Sequence, residues 1–301
     1  MSAAPRPRFV EVGPRDGLQN EKRTLPPAAK IAFIDALSQA GLEEIEAGAF
    51  VSPQAVPQMA DSSEVFEGIK RKEGIRYSAL VPNEKGLERA LQAKVDKIAV
   101  FTAASESFNQ RNINASVAQS IERFRPVVLK ARQSGLPVRA YVSTAFHCPY
   151  EGRIGPEKVM AVVGDLLEMG VDELSIGDTI GRASPVDVRR LLDALLPVLP
   201  LERVFLHFHD TYGMAVANAL TAWQEYKVPG FDSSAGGLGG CPYAPGASGN
   251  VATEDLAFAF SACGAETGLD LDNIRAAAAC LETHLGRPMA SHLGRVGPIR
   301  S

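Results

Sequence analysis

The chain has 301 residues, 46% of them hydrophobic and 22% charged, with a net charge of −4. Those proportions are ordinary for a globular protein. A chain of this length buries about 75% of its unfolded surface, so it needs no disulfide or structural metal merely to fold. Lys and Arg are scattered, which excludes the basic stripe of a nucleic-acid face, and no run of about 18 or more apolar residues offers a membrane span. The four cysteines, Cys148, Cys241, Cys263 and Cys280, form no CxxC pair and are too sparse for a secreted disulfide framework. Residues 1–8 carry neither the apolar core of a signal peptide nor an amphipathic transit helix. The expectation is a soluble cytoplasmic protein.

Short β-type runs alternate with longer helical patterns along the whole chain. Strands are expected at Arg8–Val12, Glu43–Ala47, Arg76–Val81, Lys97–Thr102, Val138–Ser143, Glu173–Ile176, Val204–His209 and Phe231–Ser234. Helices are expected at Pro27–Ala40, Ser63–Lys70, Glu84–Ala93, Val117–Gln133, Pro156–Met169, Pro185–Leu196, Met214–Tyr226 and Val251–Ala262. Gly41, Gly135 and Gly170 follow three of these as C-cap glycines would, and Pro156 and Pro185 open two others at the first turn. Eight strand–helix units predict a (β/α)8 TIM barrel. A doubly wound open sheet is the competing architecture. It calls for a GxGxxG turn after the first strand, where this chain has Gly13-Pro14-Arg15-Asp16-Gly17. Asp270–Leu285 reads as an extra helix after the eighth unit, so one catalytic domain with a C-terminal helical extension from about 267 to 301 is expected. Cys263 and Cys280 fall in Ala-rich helical patterns and read as small buried hydrophobes.

In such a barrel the chemistry lies where strands run into the loops that follow them, and polar residues gather at those points. Arg15 and Asp16 follow the first strand, Glu46 ends the second, Asp178 follows the sixth, and the seventh carries His207, His209 and then Asp210. After the eighth comes a glycine-rich loop from Gly236 to Asn250 that contains Cys241. His207 and His209 are two apart on a strand, so their rings point the same way. Such a pair serves either as hydrogen-bonded packing or as metal ligands; Asp16 and Asn250 at the same mouth favour ligation. Two nitrogens and two oxygens suit one divalent cation, Mg2+ or Mn2+, with positions left for water or substrate oxygens.

Cys241 lies in a loop rather than inside a helix or strand, which suggests a thiol able to exchange a proton, against the alternative of a small loop-packing residue. Arg15 could face an anionic or enolate oxygen, or form only a surface ion pair. Glu46, a carboxylate on a buried strand, needs a partner and is expected to orient Arg15 or a histidine. Asp178 is either an orienting carboxylate or a helix N-cap. Cys148-Pro149-Tyr150 repeats the Cys-Pro-Tyr of the glycine loop and reads as a second loop at the mouth.

These residues carry a resemblance. Residues 12–21 (Val-Gly-Pro-Arg-Asp-Gly-Leu-Gln-Asn-Glu), Phe50-Val51-Ser52-Pro53, residues 56–61, Tyr141-Val142-Ser143, residues 148–152, His207-Phe208-His209-Asp210-Thr211-Tyr212-Gly213 and the glycine loop through Asp255 together resemble the 3-hydroxy-3-methylglutaryl-CoA lyases. The likeness runs from the first strand to the eighth helix. Its Arg-Asp-Gly and HxH elements are shared with the wider group of metal-dependent Claisen-type barrel enzymes. The resemblance implies cleavage of (S)-3-hydroxy-3-methylglutaryl-CoA to acetyl-CoA and acetoacetate. It implies a cation on Asp16, His207, His209 and Asn250, Arg15 on the enolate, and Cys241 in proton transfer. It also implies acidic roles for Glu46 and Asp178, and contact with the coenzyme at Lys22. Asp178, or His207 through a water, is the candidate base.

The chain departs from the family pattern at Ala47–Ala49, at Thr144-Ala145-Phe146-His147, and in a tail, Ser291–Ser301, that has no cysteine. These departures bear on the acyl substituent: a lyase for a longer-chain 3-hydroxyglutaryl-CoA or for citramalyl-CoA would keep the same metal and loop. A Claisen-condensing synthase is a further alternative, disfavoured by the Cys-bearing loop, and a non-catalytic metal-binding barrel is another. The C-terminal apolar stretch Ala276–Leu281 suits a homodimer or packing on the barrel.

Overall fold

The eight apolar runs are strands with both faces buried, as a parallel sheet covered by helices requires. The computed structural model describes residues 4–240 and 249–296. Its barrel strands are β1 (Arg8–Glu11), β2 (Glu44–Ala49), β3 (Arg76–Leu80), β4 (Lys97–Ala103), β5 (Val138–Ser143), β6 (Glu173–Asp178), β7 (Val204–Phe208) and β8 (Gly230–Ser233). Each pairs in parallel with its sequence neighbours, and β8 pairs with β1, which closes the barrel. The TIM-barrel expectation holds. The open sheet does not.

The helices on the outside are α1 (Pro27–Leu37), α2 (Ser62–Gly68), α3 (Glu84–Gln92), α4 (Glu106–Ile113), α5 (Val117–Gln133), α6 (Pro156–Met169), α7 (Pro185–Leu195), α8 (Ala215–Tyr226) and α9 (Thr253–Ala262). Side-chain caps fix several starts. Asn83 accepts from Gly86 N, and Ser116 with Gln119 forms a capping box on α5, each worth about 1 kcal/mol. Helix α4 was not expected from the sequence. Glu-Ser-Phe-Asn-Gln-Arg-Asn-Ile has almost no apolar stripe, and the helix stands on the Ser105 cap and the buried Phe108. The extension divides into α10 (Leu271–Ala279) and α11 (Glu282–Leu285) rather than one continuous helix. No helix among the described residues is long and apolar enough to cross a membrane.

The reading of Cys263 and Cys280 as buried hydrophobes is corrected: both are exposed. Cys263 caps the end of α9, beyond the buried stripe of Leu256, Ala257 and Phe260. Alanine-rich surroundings do not say which face of a helix is covered, because alanine suits either.

The barrel interior is largely polar. Strand alternation sends residues i and i+2 to one side, and the buried residues with polar groups follow that spacing: Glu44 and Glu46, Arg139 and Tyr141. At the N-terminal end Lys97 Nζ sits 2.6 Å from both Glu44 and Glu173. Midway, Arg139 pairs with Asp232 and lies over the rings of Phe205 and Tyr141. The upper end of this stack of charges is the candidate site.

Candidate active site

Arg15 and Asp16 are presented by the tight helical turn Gly13–Gly17 that follows β1. The Arg15 guanidinium is buried, with Nε donating to Glu46 Oε2 at 2.6 Å and Nη1 to Asp16 Oδ1 at 2.6 Å. Glu46 also accepts from the Tyr141 hydroxyl at 3.1 Å, and the Arg15 guanidinium lies 5.2 Å from the centre of that ring. Glu46 sits within β2, which runs on to Ala49, beside a register irregularity between Glu46 and Gly48. The arginine is therefore clamped on one edge, its conformational freedom spent before any ligand arrives.

His207 and His209 project to the same side, with their Nε2 atoms 3.2 Å apart. His207 Nδ1 lies 3.1 Å from Asp232 Oδ2, and that carboxylate also takes the Ser175 hydroxyl at 2.6 Å and the Arg139 guanidinium. A carboxylate on Nδ1 fixes the ring orientation and leaves Nε2 to bind. Among the described residues, His209 Nδ1 is buried without a hydrogen-bond partner. Asp16 Oδ2 lies 4.0 Å from His207 Nε2 and accepts from Asn250 Nδ2 at 2.9 Å. Among the described residues, Asp16, His207 and His209 form a group whose ligand atoms lie within 4.8 Å of one another.

Asn250 is held by the strands on either side. Its residue bridges to His209, Val251 N donates to Phe208 O at 3.0 Å, and Ser234 N donates to Val251 O at 3.0 Å. Gly239 passes close beside it at φ +125°, where a Cβ would come within 2.9 Å of the Asn250 amide nitrogen, so only glycine fits this crossing. Cys241, expected near the middle of the same loop, lies outside the described residues. Lys22 is exposed on the segment after the Arg15–Asp16 turn. Its neighbour Glu21 pairs with Arg287 from the C-terminal extension.

Asp178 ends β6, whose register places Gly177 opposite His207 and Asp178 opposite Phe208. Both its oxygens accept backbone N–H groups, from Arg182 at 3.1 Å and Ala183 at 2.9 Å. The carboxylate thus shapes the turn after its strand as well as standing near the histidines.

Electrostatics divides these groups. Burial disfavours charge on Asp16, but Arg15, His207, His209 and the Asn250 hydrogen bond outweigh it and hold the carboxyl far below its ordinary range. Burial opposes a charged His207 too, yet the Asp232 hydrogen bond and the charges of Asp232 and Asp16 raise its pKa. His209 is pushed down to about 4 by burial and by its neighbour His207. Burial lifts Glu46 despite Arg15 and lifts Asp178 to about 7 despite its two backbone donors.

Two imidazole nitrogens converging at 3.2 Å beside an ionised carboxylate do not satisfy one another fully. One proton can bridge the rings, or a cation can take both lone pairs. The donor set of two imidazoles, a carboxylate and an amide oxygen is of the kind that divalent first-row ions and Mg2+ accept, so the residues present fit such an ion.

The sequence reading missed Asp232, Arg139 and Ser175, and gave Tyr141 no role of its own. Their signal was available in the alternation along β5, β6 and β8, where a polar side chain at every second position of a buried strand must face inward.

Comparison with known proteins gives one family model, HMGL-like, matched over residues 6–281. The 3-hydroxy-3-isohexenylglutaryl-CoA/hydroxy-methylglutaryl-CoA lyase of Pseudomonas aeruginosa is 51% identical over 271 residues, 90% of this chain and 90% of that protein. A crystal structure of hydroxymethylglutaryl-CoA lyase from Pseudomonas aeruginosa superimposes with a TM-score of 0.94 at 49% identity, covering 97% of each chain. The structure of an HMG-CoA lyase from Acinetobacter baumannii in complex with coenzyme A and 3-methylmalate matches with a TM-score of 0.92 at 39% identity, covering 100% of each chain.

Proposed function

From its place in the HMGL-like family of carbon–carbon lyases, to which this chain belongs, we propose that it cleaves 3-hydroxy-3-methylglutaryl-CoA to acetyl-CoA and acetoacetate. The observation that carries the reading is the clamped Arg15 set beside the converging pair His207 and His209. One divalent cation, Mg2+ or Mn2+, held by Asp16, His207, His209 and Asn250, would supply Lewis acidity to the substrate's 3-hydroxyl and an adjacent oxygen.

The remaining work falls to side chains. A base takes the proton of the tertiary hydroxyl, the C2–C3 bond breaks, and its electron pair moves onto C2 and the thioester oxygen. Arg15, already fixed by Glu46 and Asp16, offers fixed N–H donors to that developing enolate oxygen at no cost of reorganisation. Asp178 is the proposed base in preference to His207, whose Nδ1 is committed to Asp232. A carboxyl lifted to about 7 by burial takes and returns a proton near neutral pH more readily than an ordinary one. Cys241 is the proposed acid that protonates C2, and Lys22 the proposed contact with the coenzyme.

The test is an assay of purified protein with Mg2+ or Mn2+ for equal release of acetyl-CoA and acetoacetate, run beside a panel of other 3-hydroxyacyl-CoA esters. Absence of acetyl-CoA from every ester would defeat the lyase reading. With Asp178 as base, kcat/KM rises with pH and levels off above about 7, and Asp178→Asn abolishes that limb. A variant that keeps the limb would move the base elsewhere.

A further inference from the structure

Glu11, the last residue of β1, is a fully buried carboxylate to which the chemistry above gives no task. Both of its oxygens accept hydrogen bonds. Oε1 accepts from Gly13 N at 2.8 Å and from Ala235 N at 2.9 Å. Oε2 accepts from Thr253 Oγ1 at 2.6 Å and again from Ala235 N at 3.1 Å. Gly13 opens the turn that presents Arg15 and Asp16. Ala235 begins the turn that leads into the glycine-rich loop. Thr253 starts α9, three residues after Asn250, and its hydroxyl also reaches Ser233 Oγ at 2.8 Å. A Cβ on Gly13 would stand 2.6 Å from Glu11 Oε1, so the glycine there makes room for this carboxylate.

We propose that Glu11 is a positioning residue that ties the Asp16 turn, the root of the glycine loop and the Asn250 segment into one rigid frame. Asp16 and Asn250 come from opposite ends of the sequence, and their side chains meet at 2.9 Å; Glu11 binds backbone or side chain of both their segments at once. A fourth segment, from the C-terminal extension, joins this frame through Gly236. Gly236 N, next to Ala235, donates to the buried carboxylate of Glu254 at 3.1 Å, and Gly236 O accepts from Ala290 N and Ser291 N of the C-terminal extension. Leaving such backbone donors buried without a partner is costly.

The inference rests on the metal-dependent reading for its effect on turnover, so the test has two independent arms. In the first, hydrogen–deuterium exchange is followed at the amides of Gly13 and Ala235 in Glu11→Ala and Glu11→Gln. Loss of their shared acceptor speeds exchange roughly tenfold or more in Glu11→Ala. Glu11→Gln keeps one oxygen for these amides and restores most of the protection. In the second, Mn2+ affinity falls roughly 10- to 100-fold in Glu11→Ala, kcat falls with it, and KM for the acyl-CoA stays near wild type. Lys97→Met at the far end of the barrel serves as a control that lowers stability without changing Mn2+ affinity. If Glu11→Ala does not fold, Thr253→Val removes a single donor and is read in the same two arms. Wild-type exchange at both amides, together with wild-type Mn2+ affinity, overturns the proposal. A wild-type protein that binds no Mn2+ defeats the metal reading instead, and the exchange arm still decides the role of Glu11.

Discussion

The two ends of the barrel hold buried charge in opposite ways. At the N-terminal end Lys97 sits between Glu44 and Glu173 at 2.6 Å each, with Arg76 and Arg8 on the outer sides of those carboxylates at 3.8 and 3.7 Å. Opposite charges alternate there, and each carboxylate faces a cation, although among the described residues Glu44 Oε1 is buried without a hydrogen-bond partner. At the C-terminal end the order breaks down. Two imidazole nitrogens face each other at 3.2 Å, an ionised Asp16 stands beside them, and among the described residues His209 Nδ1 has no partner. Asp16 is met by Arg15 and Asn250, but at most one proton can bridge the two Nε2 atoms, which leaves the imidazole pair open to a cation. The contrast teaches how stability and chemistry are separated along one barrel: alternating ion pairs at the bottom, converging imidazoles at the mouth.

The comparison can be broken at either end. The largest effect is expected from Lys97→Met. It removes the cation shared by the buried Glu44 and the partly buried Glu173 and should cost about 3–5 kcal/mol of unfolding free energy, while kcat measured below the melting transition stays unchanged. A lowered kcat in the folded variant would show that the bottom network reaches the chemistry. Next comes Arg15→Met, expected to lower kcat by roughly 10²- to 10³-fold, as the loss of one fixed oxyanion donor does, with a smaller change in melting temperature than Lys97→Met. The smallest is Asp232→Asn, which keeps the shape but weakens the acceptor on His207 Nδ1. Calorimetric titration should show Mn2+ affinity lower by roughly 10- to 100-fold. Unchanged affinity would mean that Ser175 and Arg139 orient Asp232 for packing alone.

The sequence made the mouth more legible than the interior. Arg15, Asp16, His207 and His209 stood out because short motifs at strand ends put unlike polar residues where apolar ones would end a strand. Glu46 stood out for the same reason, and the structure shows its partners to be Arg15 and Tyr141. Asp232 and Arg139 did not, because each is a single charge inside an apolar run, and a run scanned for hydrophobicity hides which side each residue faces. Their pairing spans 93 residues, a contact that no local pattern encodes. Glu11 was hidden likewise, since its partners lie in three separate segments. The barrel itself was readable because eight alternating units leave few alternatives. Helix α4 and the exposed cysteines were not, since propensity without an apolar stripe does not fix a helix or its face.

The claim at the centre of this account is that the mouth of the barrel is built around one divalent cation. The most direct test is to strip the protein with a chelator and titrate Mn2+ back, following bound metal and acetyl-CoA release together. The account predicts one ion bound per chain, no turnover before it binds, and turnover rising in proportion to occupancy. Full turnover in the stripped protein, or binding that His207→Ala and His209→Ala leave intact, would contradict it.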